Sequence, residues 1–110
     1  YPDLKLVLAH WGGGLPFFEL LVDEGKPLAN VYYDCAATPY LYRPEIFNTA
    51  ISLAGRGKIL FGTDYPLMPQ DRYIKEIESL TPTLNVNDHT AIMGNNALEL
   101  LGVPRMPSWI

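Results

Sequence analysis

Three short apolar runs punctuate the chain: Leu4 to Ala9 (LKLVLA), Val31 to Ala36 (VYYDCA) and Lys58 to Gly62 (KILFG). Each has the length of a strand. Their near-continuous apolarity predicts strands buried on both faces, as in a parallel α/β sheet, rather than the strict alternation of a half-exposed strand. After each run comes Gly, Pro or Asp and then apolar residues at helical spacing. The first such segment covers Leu15 to Asp23, with Phe17, Phe18, Leu20 and Leu21 apolar, Pro16 in its first turn and an end near Gly25. A second helix is predicted over Pro44 to Ala54, with Glu45 in the first turn, where the helix dipole favours an anion, and Gly55 as its stop. A third runs from Asp71 to Leu80, placing Tyr73, Ile74, Ile77 and Leu80 on one face and charges on the other, and is halted by Thr81-Pro82. The last begins after an Asn87 cap, breaks near Gly94-Asn95 and resumes from Ala97 to Leu101 before Gly102. The tail after Pro104 reads as irregular.

The resulting order is β-α-β-α-β-α-α, with strands starting about 27 residues apart. A (β/α)8 barrel of ~250 residues uses roughly 31 per unit, so this pitch fits three consecutive barrel units or part of an open doubly wound sheet. One domain is expected over residues 1–110. The charge balance, 8 Lys+Arg against 12 Asp+Glu for a net −4, offers no basic cluster to neutralise phosphates and argues against a nucleic-acid partner. One Cys gives no internal disulfide framework, which points to the cytoplasm. No run reaches the ~18 apolar residues of a membrane span, and no secretory leader pattern is present. The chain enters a core-like strand without an initiating Met, so a missing upstream segment is expected.

Two strands end in chemically capable residues. His10 closes the first, in Ala9-His10-Trp11-Gly12-Gly13-Gly14, and Asp64 follows the third, in Phe61-Gly62-Thr63-Asp64-Tyr65-Pro66. A parallel sheet brings both to its C-terminal end, where such folds place their sites. A neutral imidazole ligates a metal or carries a proton near neutrality, and a carboxylate ligates a metal and takes the proton of bound water. On spacing alone, His10 also reads as a packed core or loop histidine and Asp64 as a turn former. Equivalent placement at two strand ends favours a site.

These blocks resemble the amidohydrolase-related family of metal-dependent hydrolases and decarboxylases. The resemblance is carried by Leu6 to Phe17 (LVLAHWGGGLPF), Lys58 to Pro66 (KILFGTDYP) and Gly94 to Gly102 (GNNALELLG), with Asn30 to Ala36 (NVYYDCA) between the first two. It spans nearly the whole chain. It implies that the three strands are the last three of a (β/α)8 barrel closed by C-terminal helices, and that the chain is the C-terminal segment of one barrel domain. His10 then matches a histidine that assists proton transfer or, in some members, ligates the metal. Asp64 matches the aspartate that ligates the metal and acts as base. The implied cofactor is a divalent metal, with zinc expected, at a site this chain leaves incomplete, because the family's other histidine ligands have no counterpart here. Asn96 and Ala97 match a structural motif of the final helix. The implied reaction is hydrolysis of a C–N or C–O bond in a small organic acid, amide or lactone by a longer parent enzyme. Non-oxidative decarboxylation is the alternative, and a catalytically incomplete α/β scaffold is the alternative outside enzymes.

Other residues carry lesser expectations. Trp11 and Tyr65, next to the two key residues, are candidates to line a substrate pocket, with packing beneath loops as the equal alternative; Arg43, together with Tyr40 after the middle strand, is a further candidate, with a surface ion pair as the competing role. Cys35 reads as a small core hydrophobe. Asp34 sits in an apolar strand and needs a partner, first a structural hydrogen bond and next the support of a site residue. His89 is expected at a solvent-facing helical position, and Tyr32 and Tyr33 between sheet and helices. Exposed strand edges call for cover by self-association or by missing N-terminal chain.

Overall fold

The computed structural model describes residues 1–21 and 28–105. Strands β1 (Leu6–Leu8), β2 (Val31–Asp34) and β3 (Ile59–Leu60) form a parallel sheet in the order β1-β2-β3, with Leu6 opposite Val31 and Tyr33 opposite Ile59. The fold is therefore α/β, and each strand lies within its predicted apolar run. Burial on both faces holds only for the short β3. In β2 burial alternates, and Leu6 and Val7 of β1 are exposed.

The segment after β1 departs from the predicted helix. His10–Leu20 is a 3-10-type run whose first residues are not helical: His10, Trp11, Gly12, Gly13 and Gly14 all have positive φ. Three consecutive glycines make this left-handed turn accessible, whereas an ordinary side chain there costs roughly 1–2 kcal/mol per residue. The predicted end of that helix, from Val22 to Gly25, lies outside the described residues. After β2 come α1 (Thr38–Leu41), which the pattern did not signal, and α2 (Ile46–Ala54), which ends at Gly55 as expected. Helix α3 (Gln70–Leu80) buries Tyr73 and Ile77 as its periodicity requires.

Helix α4 (Val86–Thr90) is capped by Asn85, whose side chain accepts the Asp88 N–H at 2.9 Å, and not by Asn87. It continues through a π-turn (Ala91–Asn95) into α5 (Asn96–Leu101), which ends at left-handed Gly102. The predicted break near Gly94 is this π-turn, and it has a structural use. The Asn96 N–H bonds back to the Ala91 carbonyl, which leaves the Ile92 carbonyl to accept the Phe61 N–H at 3.1 Å and so to pair backbone just beyond β3. Asn96 is buried, and its amide donates to the carbonyls of Arg56 (2.6 Å) and Ile59 (2.7 Å). At the opposite end of the strands from His10, the Lys58 ammonium lies over the Tyr32 ring and donates to the carbonyls of Leu28, Ala29 and Val31. Burial pulls its pKa down.

The core lies between one sheet face and the helices. Val31, Tyr33, Cys35 and Ile59 pack with Trp11, Phe47, Ala50, Met68, Tyr73, Ile77 and Ile92. No described helix is long and apolar enough to cross a membrane.

Candidate active site

The strands deliver His10 and Asp64 to the same end of the sheet, and the two side chains meet. His10 Nε2 lies 3.1 Å from Asp64 Oδ2, and both side chains stay accessible at 40% and 44% exposure. Residues 54 apart in sequence thus form one imidazole–carboxylate pair open to solvent. Both have left-handed backbone, φ 53 for His10 and 59 for Asp64. Trp11 and Ala37 are the other non-glycine residues with positive φ among the described ones. All four follow the C-terminal ends of strands, so the unfavourable backbone is gathered at the face that carries the His10–Asp64 pair.

Each key residue is held by its own local structure. Beyond β3, the Asp64 carbonyl accepts the Leu67 N–H at 2.8 Å, and the Thr63 hydroxyl accepts the Tyr65 N–H at 3.2 Å, so the loop carrying Asp64 is a closed turn. The Tyr65-Pro66 peptide is cis. On the other side, Asp34 Oδ1 accepts the backbone N–H of His10 and that of Ala36, each at 3.0 Å. Bonds to a charged acceptor contribute about 1.5–3 kcal/mol, the same order as the cost of a left-handed non-glycine residue, so Asp34 offsets the strain at His10. Gly62 leaves room for this carboxylate. A Cβ there would come within 3.3 Å of Asp34 Cγ. The apolar flanks of Asp34 signalled that it needed a partner. That the partner is the backbone of His10 was not readable, because it depends on the parallel register of β1 and β2.

Trp11 corrects the expectation that it lines a pocket. It is fully buried, packs edge-on against Phe47 with ring centroids 5.0 Å apart, and donates from Nε1 to the Thr38 hydroxyl at 3.0 Å. The left-handed turn carries its indole to the helix side of the sheet, away from solvent. The Thr38 hydroxyl donates in turn to the Cys35 carbonyl at 2.6 Å, and the Tyr73 hydroxyl donates to the same carbonyl at 2.6 Å. This buried network fixes the end of β2; Thr38 gave no sequence signal of it. The Cys35 thiol is buried and pushed up to about 11 by desolvation, which keeps it protonated and inert. Tyr65 is exposed beside Asp64. Arg43 is exposed too, and its guanidinium is paired with Glu45 at 2.9 Å. The Glu45 carboxyl is held below its usual range by a hydrogen bond from its own backbone first and by this pairing second. His89 is half-buried rather than solvent-facing. The Thr81 hydroxyl donates to the Ile77 carbonyl, so at 3.2 Å it accepts from His89 Nε2, which therefore carries a proton.

An imidazole nitrogen and a carboxylate oxygen are donors that first-row divalent ions accept, but catalytic sites generally take three protein ligands. Among the described residues no group of three His, Cys, Asp or Glu is placed to hold an ion. The donor types fit a divalent metal, and their number is one short of the three protein ligands such a site takes.

A family model described as Amidohydrolase matches residues 1–103. The chain belongs to the amidohydrolase family. This family member is 30% identical, over 120 aligned positions, to the 2-amino-3-carboxymuconate-6-semialdehyde decarboxylase of Dictyostelium discoideum; the match covers 93% of the chain and 32% of that protein. A dihydroxybenzoic acid decarboxylase from Polaromonas, solved with bound manganese and the inhibitor 2-nitroresorcinol, superimposes with a TM-score of 0.74 at 25% identity, over 96% of this chain and 36% of the other. The 5-carboxyvanillate decarboxylase of Sphingomonas paucimobilis gives 0.76 at 17% identity, a likeness of fold alone, over 94% and 35%. This amidohydrolase-family chain thus spans about a third of the length of the relatives it matches.

Proposed function

We propose that this chain supplies the last three βα units of a (β/α)8 barrel and part of a divalent-metal active site that decarboxylates an aromatic or unsaturated carboxylic acid without oxidation. The observation that carries the reading is the convergence of His10 Nε2 and Asp64 Oδ2 at 3.1 Å on the open strand-end face. The Dictyostelium and Polaromonas relatives are decarboxylases, which supports this reaction over the hydrolysis of an amide, lactone or other C–N or C–O bond that the motifs alone put first. Manganese in the Polaromonas enzyme supports a divalent ion, with zinc as compatible with these donors as manganese. Asp64 would hold it through a carboxylate oxygen, and its chemistry when bound is to polarise a substrate oxygen as a Lewis acid.

The chain's own residues handle the proton. Breaking the bond between a carbon and its carboxylate releases CO2 and leaves the electron pair on carbon, which then takes a proton. Protonated His10 delivers one from Nε2 to that carbon, and the neutral ring regains a proton from solvent, to which it is open. The Asp64 carboxylate holds Nε2 beside the site in the resting pair, and the Nε2 proton leaves this contact for the carbon. One carboxylate and one proton enter, and one C–H bond and one CO2 result. Tyr65, exposed next to Asp64, is placed at the mouth to meet substrate. The substrate is a small molecule, the working protein self-associates or is completed by further chain, and the cytoplasm is its compartment.

Replacing His10 by Ala in the full-length protein is expected to lower turnover by about 10²–10⁴-fold, the usual worth of a positioned general acid. Asp64→Ala is expected to lower bound metal as well as turnover, read by elemental analysis beside the assay. Unchanged turnover and metal content in both variants would remove the catalytic assignment of His10 and Asp64.

A further inference from the structure

We propose that Asp34 is a positioning residue for the His10–Asp64 pair, acting through the backbone of His10 and not by contact with substrate; the inference rests on the decarboxylase reading for its kinetic consequence alone. Three observations converge on it. Asp34 Oδ1 accepts the His10 N–H at 3.0 Å, and His10 is the residue whose left-handed backbone turns its ring toward Asp64. The same oxygen accepts the Ala36 N–H at 3.0 Å, which fixes the carboxylate at the end of β2. Gly62, two residues before Asp64, packs against Asp34 where a side chain would crowd Cγ at 3.3 Å and Cβ at 3.4 Å. The carboxylate is thereby wedged between the chain segments that carry the two site residues. A histidine without this anchor relaxes out of the left-handed region, and its imidazole leaves the pair.

The role is that of a hydrogen-bond acceptor, so Asn, whose amide oxygen also accepts two N–H groups, substitutes for Asp and Ala does not. The test uses the full-length, metal-loaded protein with Asp34→Asn and Asp34→Ala. Crystal structures give the backbone angle of His10 and its distance to Asp64; kcat and KM are measured with 2,6-dihydroxybenzoate as probe. In D34A the His10 φ is expected to turn negative, the Nε2 to Oδ2 contact to open, and kcat to fall about 100-fold with KM within about threefold, since misplacement of a reacting group acts on rate. D34N is expected to keep the geometry and to stay within about fivefold of the parent. A D34A structure with His10 unmoved overturns the proposal, and so does a D34N variant that loses the geometry or more than about fifty-fold in kcat. If D34A does not fold, D34N decides on those same two criteria. A parent protein that leaves the probe untouched while His10 moves as expected contradicts the decarboxylase reading and sustains the positioning role.

Discussion

At the scale of single residues, the left-handed turn after β1 separates two effects usually mixed in glycine substitutions. Gly12 and Gly13 have nearly the same φ, 63 and 62. A Cβ on Gly12 would press on Leu15 Cβ and the Tyr33 ring at 3.2 Å, while one on Gly13 would meet nothing within 4 Å. Gly13→Ala is expected to cost roughly 1–2 kcal/mol from backbone conformation alone, and Gly12→Ala clearly more, because packing strain adds to it. Equal losses in denaturant unfolding would show that the crowding is relieved by small shifts. A second expectation concerns alkali. The Tyr33 hydroxyl, buried and facing Glu19, is pushed up to about 12, and Cys35 to about 11. The unfolded chain releases these protons first, near pH 9 for the thiol and pH 10 for the phenol, so the folded state binds more of them above those values. Their contribution is intact below about pH 9 and is lost progressively as pH rises through 11 and 12. Denaturant midpoints measured from pH 7 to 11 check this, and a flat profile speaks against it. His10 and Asp64 were readable as a pair because strand direction alone sends both to one end of the sheet. Which of its two roles Trp11 takes was not readable, because adjacency to His10 in sequence says nothing of which side of a left-handed turn an indole takes.

At the scale of elements, the predictions succeeded where amphipathic spacing was sustained, in α2 and α3, and failed where tertiary contacts govern. Four residues, Thr38–Leu41, are too few to show a period, and their helix is held by hydrogen bonds from Thr38 and Tyr73 to the end of β2. Three glycines and Pro16 after β1 gave up a regular α-helix in favour of a tight turn. Gly94 signalled a break in the last helix, and the outcome is a π-turn, because a carbonyl is needed for Phe61 just beyond β3. Asn96 is the residue that ties this helix to the sheet. Asn96→Ala leaves two carbonyls without their donor in a buried place, and is expected to cost about 2–3 kcal/mol. Surface Asn48→Ala is the control, expected within about 1 kcal/mol, and comparable losses for the two would refute the special role of Asn96.

At the scale of the whole molecule, apolar exposure is concentrated in β1 and the segment after it. Leu4, Leu6, Val7, Phe17, Phe18, Leu20 and Leu21 are all exposed, each by 45% or more. A stretch so rich in uncovered side chains, next to an unpaired strand edge, is what the proposed association or additional barrel strands would cover. The 110-residue chain alone is therefore expected to self-associate in sedimentation experiments at micromolar concentration, and a dispersed monomer that binds no apolar dye would argue against it. The open imidazole–carboxylate pair, short of a third ligand among the described residues, is what the proposed barrel enzyme would complete. The most direct test of its chemistry is to incubate the full-length protein, loaded with manganese or zinc, with 2,6-dihydroxybenzoate and related aromatic acids in D2O. CO2 release with one deuterium at the carbon that lost it is expected, abolished by metal removal and slowed about 10²–10⁴-fold by His10→Ala. Hydrolysis of an amide or lactone by the same protein, with no CO2 from any acid, would contradict it.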